Sequence, residues 1–257
     1  MVGALLLLLL LATPCTGAAH QESATMDDAD AVPHPLQLAL NGDTKTLRAL
    51  LRADGASANK FLGSGPLAPT ALMVAAKRGH VETMETLLQA GASTDVARRP
   101  DGTTALMLAA QGACPDRTTS EDGAQSAVRT LLLGGAGPDM RQEHGLTALM
   151  FAARHGCADH AKALLGAGAG VNIQAESGPV HLEHHLHTAL HFAAAGGHVD
   201  VIEALLSEDA DPTMLAGPPE GMQKLASELA PSMELVHLLQ EAEQNFKGAK
   251  EEPNSEL

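Results

Sequence analysis

Residues 187–206 read HTALHFAAAGGHVDVIEALL, and the pattern of this stretch recurs in three earlier copies along the chain. Each copy opens with Thr-Ala-Leu, places a pair of alanines three positions after that leucine, and closes with Leu-Leu. The opening threonines are Thr70, Thr104, Thr147 and Thr188, which lie 34, 43 and 41 positions apart. Repetition at this period is typical of a solenoid, in which each unit buries its apolar face against its neighbours.

The fixed positions of the repeat have physical roles that predict a pair of short helices in each unit. The threonine hydroxyl can cap free backbone N–H groups at the start of the first helix. The alanine pair lets the first helices of neighbouring units approach closely. Gly-Ala follows Leu-Leu in the first three copies, and a left-handed glycine there ends the second helix. The fourth copy has Asp209 at this position, and aspartate tolerates that conformation better than most residues.

This pattern resembles the ankyrin repeat, which reads Thr-Pro-Leu-His-x-Ala-Ala-x-x-Gly-His and closes with Leu-Leu-x-x-Gly-Ala. Gly79-His80 and Gly197-His198 match its Gly-His pair, and His191 supplies its histidine. Alanine replaces the motif proline in every copy. Methionine replaces the histidine at Met73, Met107 and Met150, so we expect different hydrogen bonding at those turns.

The resemblance implies an all-α ankyrin-repeat solenoid of about four clear repeats, with degenerate capping repeats at both ends. The array is expected over 36–243, and insertions of about ten and eight residues lengthen it at Cys114–Gly123 and Gln174–His187. The expected units are approximately 36–66, 67–100, 101–143, 144–184 and 185–216, with a C-terminal cap at 217–243. An acidic linker at 19–35 precedes the array, and the charged segment 244–257 is expected to be a disordered tail.

The N-terminus predicts a secretory protein. The apolar run Ala4 to Ala12 is shorter than the roughly 20 residues that span a bilayer, so no stable membrane insertion is expected. Small residues follow, and residues 1–18 are typical of a signal peptide cleaved before Ala19. The protein would then be secreted or lumenal, and the final Glu256-Leu257 partly matches an endoplasmic-reticulum retrieval signal. The alternative is a cytoplasmic protein whose translation starts at Met26.

Composition and charge exclude several classes of function. The formal net charge is -15 and there is no Trp or Tyr, which argues against nucleic acid as a partner. No phosphate loop, nucleophile elbow or His-Glu-x-x-His helix is present, so we expect neither an enzyme nor a cofactor. The resemblance instead implies a protein–protein interaction module (a scaffold, adaptor or inhibitor), monomeric on its own, that holds another protein in its concave groove.

Partners of this family lie against the finger loops between repeats and the solvent face of each first helix. The residues that the resemblance places there are Lys77, Arg78, Arg98, Arg99, Asp101, Gln111, Arg141, Glu143, His144, Arg154 and His155. Six of the chain's 16 basic residues therefore share one surface of an acidic protein. This clustering predicts recognition of an acidic segment. The alternative is that these residues only keep the helices solvated.

Two further features leave alternatives open. His181, His184, His185 and His187 precede His191 closely enough to share a metal ion, which gives the alternative of a metal-binding or metal-stabilised secretory-pathway protein. The favoured interpretation assigns no metal, because His191 is a motif residue and the others occupy an inserted loop. Cys114 and Cys157 each lie four residues after their alanine pair and can form a disulfide if the insertion at Cys114 moves closer; the alternative is two thiols.

Overall fold

The computed structural model describes residues 38–39, 41–53, 58–60, 68–112, 127–175, 186–217 and 223–251. These ranges belong to one unit, Pro33–Leu257. The predicted signal peptide, the acidic linker and most of both insertions, including Cys114 and three of the four metal-alternative histidines, lie outside them. None of the described helices is both long and apolar enough to cross a membrane.

Short helices follow one another in pairs and are joined by turns. An isolated β-bridge pairs Ala216 with Lys224. The helices are α1 Thr44–Ala53, α2 Ala71–Arg78, α3 Val81–Gln89, α4 Ala105–Gln111, α5 Ala127–Leu133, α6 Ala148–His155, α7 Ala158–Gly166, α8 Ala189–Gly196, α9 Val199–Leu206, α10 Ala226–Leu229 and α11 Met233–Glu251.

The helices form two layers. The first helices α2, α4, α6, α8 and α10 pack side by side in one layer, and α1, α3, α5, α7 and α9 form the other. Each first helix also packs on the second helix of its own pair. This is the stack predicted from the repeats, and α1 shows that it begins before the first Thr-Ala-Leu copy.

The opening threonines cap the first helices as predicted. The hydroxyls of Thr70, Thr104 and Thr147 accept hydrogen bonds from the backbone N–H three residues on, at 3.3–3.4 Å. In the fourth repeat, Thr188 bonds through both its N–H and its hydroxyl to His191 Nδ1, at 3.2 and 2.8 Å. In the first, the sulfur of Met73 accepts from the Thr70 N–H at 3.4 Å. A thioether thus replaces the imidazole, which is the altered bonding that the sequence predicted.

The second helices end in the left-handed turn that the sequence predicted. Gly91, Gly135 and Gly168 have φ angles between 83° and 87°, and Asp209 has φ 60°. The backbone N–H of the alanine that follows each glycine bonds back to a carbonyl of the preceding helix, at 2.9–3.0 Å. These turns return the chain to the finger loops at the same point in each repeat.

A ladder of Asn and Asp side chains joins successive repeats. Each ladder residue lies three positions after the alanine of Gly-Ala and accepts a backbone N–H from the next repeat. The pairs are Asn59 with Ser93 (2.6 Å), Asp95 with Gly137 (2.9 Å), Asp139 with Gly170 (2.8 Å) and Asn172 with Asp211 (2.7 Å). Because Asn59 takes part, the divergent N-terminal unit is in register with the rest.

The core consists of small and aliphatic side chains. The alanine pairs are at most 2% exposed, and the first leucine of each Leu-Leu is fully buried. Methionine or histidine at the fourth motif position is also at most 2% exposed. Side chains of this size allow close packing of thin helical layers, which is why the chain folds with few aromatic residues.

The C-terminal helix α11 continues to Glu251, past residue 243, where the sequence predicted a disordered tail to begin. Leu235, Leu239 and Glu243 recur at four-residue intervals and are buried, and Phe246 continues this face. Residues 244–251 are mostly Glu, Gln, Lys and Ala, which favour helix. The charge of this segment is therefore compatible with a helix.

Candidate functional site

A row of apolar side chains lies along the first helices, and its first three members form the floor of a groove. Each lies four positions after an opening threonine: Val74, Leu108, Phe151 and Phe192, with 5–8% of their surface exposed. These four residues have the spacing of core residues, so the sequence alone did not identify them as part of a site. A sequence signal for the floor was nevertheless present. The side chain at this position differs in size between repeats, whereas the alanines that follow it are constant.

Two adjoining hollows lie on this floor. The first, of about 520 Å³, lies between α2 and α4 and is lined by Pro69, Met73, Val74, Lys77, Arg78, Arg98 and Leu108. The second, of about 300 Å³, lies between α4 and α6 and is lined by Arg98, Asp101, Thr103, Leu108, Gln111, Gln142, His144, Leu146, Phe151, Arg154 and Ala175. Since both hollows are lined by Arg98 and Leu108, they form one groove across three repeats.

Arg98 stands between the two hollows and is held by its own finger loop. Its guanidinium donates two hydrogen bonds to the carboxylate of Asp101, from Nε at 3.1 Å and from Nη2, and Nη2 lies 3.4 Å from Thr103 Oγ1. Arg98 and then Thr103 lower the pKa of Asp101 to about 2, and the carboxylate raises the pKa of Arg98. Within the groove, Arg98 is therefore a neutralised part of the scaffold.

Basic residues at the ends of the first helices form the rim of the groove. Lys77, Arg78 and Arg154 are exposed, and Gln111 is half-buried at the position equivalent to Lys77. The fourth repeat has Ala195 there instead. Among the described positions of the rim, basic residues thus occur in the first and third repeats.

The structure brings seven of the eleven predicted groove residues to the walls of the two hollows: Lys77, Arg78, Arg98, Asp101, Gln111, His144 and Arg154. Arg99 and Glu143 are exposed on finger loops. Arg141 lines another open cavity with Leu186 and residues 170–175, which adjoins the second hollow at Ala175. His155 is exposed, and its Nδ1 lies 2.9 Å from the Phe151 carbonyl oxygen. Contact of these residues with a partner stays a prediction.

The histidine cluster is described only at His187 and His191. Both are buried, and their ring centroids are 5.5 Å apart. Burial and then repulsion from His187 lower the pKa of His191 to about 4. No group of three or more potential ligands that could hold a metal ion occurs among the described residues. The metal alternative depends on His181, His184 and His185, outside those ranges, and stays a prediction.

Cys157 precedes α7 and is buried. Its sulfur is disulfide-bonded. Cys114 lies outside the described residues, so the pairing of Cys114 with Cys157 stays a prediction.

Comparison with known proteins agrees with the two-layer stack. A family model described as ankyrin repeats (3 copies) matches residues 35–116 and 118–215, which is more than half of the chain. The chain belongs to the ankyrin-repeat family. No curated protein matches it. Ankyrin repeats are generally protein–protein interaction modules that use the extended concave surface of the solenoid.

Proposed function

We propose that this protein is a non-enzymatic scaffold, adaptor or inhibitor that holds an acidic segment of a partner protein in the groove over α2, α4 and α6. The observation that carries the proposal is the composition of this groove, which combines an apolar floor with a basic rim on a chain of net charge -15. An apolar floor supplies affinity through buried area, and a basic rim selects and steers acidic partners.

The charge of the groove comes from residues that form no ion pair with any other residue that the structure describes. Arg98 is neutralised by Asp101, whereas the exposed side chains of Lys77, Arg78 and Arg154 line the same hollows. Carboxylates that approach the rim form charge-assisted hydrogen bonds with Lys77 and Arg78 on one side and with Arg154 on the other. Their attraction acts over about 10 Å at ordinary salt, so binding should weaken as salt is added.

Charge reversal on opposite sides of one repeat tests this function. Arg154→Glu changes the groove, and Lys162→Glu makes the same change on an exposed position of α7 that does not line either hollow. Tagged wild type and both variants are expressed in the cells that make the protein, and the co-purified proteins are quantified by mass spectrometry. We expect one or more partners to be lost from Arg154→Glu and retained by Lys162→Glu. Equal recovery from both variants would refute a groove-based function.

We further propose that the protein works in the secretory pathway. The disulfide at Cys157 supports this compartment, because disulfides persist in oxidising environments. N-terminal sequencing of the protein purified from its native cells tests the proposal. A start near Ala19 agrees with it, whereas a start at Met1 or Met26 contradicts it.

A further inference from the structure

Each of the two hollows combines an apolar base with cationic or polar residues at its edge. Met73, Val74 and Leu108 form the base of the first hollow. Leu108, Leu146 and Phe151 form the base of the second. Volumes of about 520 and 300 Å³ accommodate a large aliphatic or aromatic side chain. Val74, Leu108 and Phe151 keep 6–8% of their surface exposed, and a purely acidic segment would leave this small apolar area uncovered.

Arg98 acts as a divider between the hollows. Its guanidinium is fixed by Asp101 and Thr103, and its aliphatic stem remains to pack against a ligand. Because Asp101 already matches its charge, a segment that crosses Arg98 needs no carboxylate at that point. The unmatched cations lie farther out, at Lys77 and Arg78 on one side and at Arg154 on the other.

We infer that the acidic partner segment carries two apolar anchor side chains, one for each hollow, that straddle Arg98, with its carboxylates outside this pair. The inference rests on the proposed function and adds the chemistry of the bound segment. Packed helices lie about 8–10 Å apart. A segment in the polyproline II conformation advances about 3.1 Å per residue and makes one turn in about three residues, so side chains three positions apart share one face. The two anchors are therefore about three residues apart, and Asp or Glu residues flank them to meet Lys77, Arg78 and Arg154.

Selection from a phage-displayed library of random peptides tests the inference on the full chain. The enriched peptides are synthesised with a fluorescent label, and their affinity is measured by anisotropy. Gln111→Trp fills the second hollow from its half-buried rim, and Gln240→Trp makes the same change on the exposed face of α11. Circular dichroism establishes that both variants are folded.

We expect enriched peptides with two apolar residues about three positions apart and acidic residues outside them. Their affinity should fall about ten-fold or more with Gln111→Trp and with Arg154→Glu, the effect of losing one anchoring contact, and stay unchanged with Gln240→Trp. Peptides that depend on the groove but lack this pattern would overturn the inference and leave the proposed function standing. Peptides that are insensitive to every groove change, or the absence of enrichment, would count against both.

Discussion

The Nε2 atom of His198 lies 3.2 Å from the carbonyl oxygen of Arg154, which ties the fourth repeat to the end of the third repeat's first helix. The carbonyl can only accept, so Nε2 is the donor. The imidazole lies between Gly156 and Gly196, and a Cβ atom added to either glycine would come within 2.4 Å of the ring. The Gly-His pair of the motif is therefore a contact between repeats as well as a turn.

Replacing Gly156 with alanine should destabilise the array through this contact. Gly156 and Gly79 have the same backbone angles, φ 72° and ψ 22°, but a Cβ atom at Gly79 would meet nothing within 4 Å. Gly79→Ala should then show only the cost of a left-handed alanine, about 1–2 kcal/mol. Gly156→Ala adds overpacking against His198, about 1–3 kcal/mol more. Urea denaturation measures both variants, and an equal loss in the two would exclude the steric role of His198.

The ladder between repeats uses amides at its ends and carboxylates in its middle. Asn59 and Asn172 each accept one backbone N–H and also donate to a carbonyl of the next repeat, at 3.4 and 3.1 Å. Asp95 and Asp139 accept in the same way but, as carboxylates, cannot donate. Asp95 and Asp139 thus lack the hydrogen bond to a carbonyl that Asn59 and Asn172 make.

Asp95→Asn should therefore stabilise the protein, because the amide can reach the Gly135 carbonyl as Asn59 reaches that of Gly91. The substitution also removes one negative charge from a chain of net charge -15. We expect a gain of about 0.5–1 kcal/mol, which thermal denaturation would detect as a higher Tm. The reciprocal change Asn172→Asp should lower Tm by a similar amount. A lower Tm for Asp95→Asn would show that the carboxylate bond outweighs a second hydrogen bond.

His191 should make the stability of the folded chain depend on pH. Burial lowers its pKa to about 4 from an ordinary value of 6.5, so the folded state favours the neutral ring. His191 therefore leaves the free energy of unfolding undiminished above pH 6.5 and lowers it as the pH falls towards 4. At about 1.4 kcal/mol per pKa unit, the loss is on the order of 3 kcal/mol.

Equilibrium unfolding between pH 7 and pH 4 measures this dependence. His191→Met gives the fourth repeat the residue that Met73, Met107 and Met150 supply in the others, and it should flatten the curve. Met150→His introduces a buried histidine in the third repeat and should steepen it. The same pH dependence in wild type and His191→Met would assign the titration to other groups.

Arg98 and Arg99 are adjacent in sequence but should differ in their effect on stability. Arg98→Ala removes the hydrogen bonds to Asp101 and should cost about 1 kcal/mol at pH 7, whereas Arg99 is exposed and its removal should have little effect. The pKa of Asp101 is lowered to about 2, so the difference should persist above pH 4 and shrink as the pH falls towards 2. Equal losses in the two variants by urea denaturation would exclude the finger-loop role of Arg98.

The repeat frame could be predicted from the sequence because one backbone geometry recurs at fixed intervals. Thr70, Thr104 and Thr147 cap helices as their position requires, and Asp209 takes the left-handed turn that glycine takes elsewhere. The length of α11 was not predicted, since its charged residues are compatible with both helix and disorder.

The groove was only partly predictable, because its walls join residues from different repeats. Lys77 and Arg154 were identified from their position at helix ends. The pairing of Arg98 with Asp101 was not, since two charges three residues apart form an ion pair only in a particular loop conformation. The apolar floor was also missed, because Val74, Leu108 and Phe151 have the spacing of core residues and are nearly as buried.

The most direct test of the groove is site-specific photocrosslinking with the full chain in the cells that make it. A benzophenone side chain is placed at Gln142, which lines the second hollow, and at the exposed Lys162 on α7 as the matched position. The crosslinked peptides are then sequenced by mass spectrometry. We predict that Gln142 captures a partner through a segment rich in Asp or Glu with apolar residues, and that Lys162 does not capture it. Capture of the same segment from Lys162 alone, or of a basic segment from Gln142, would contradict recognition of an acidic partner in the groove.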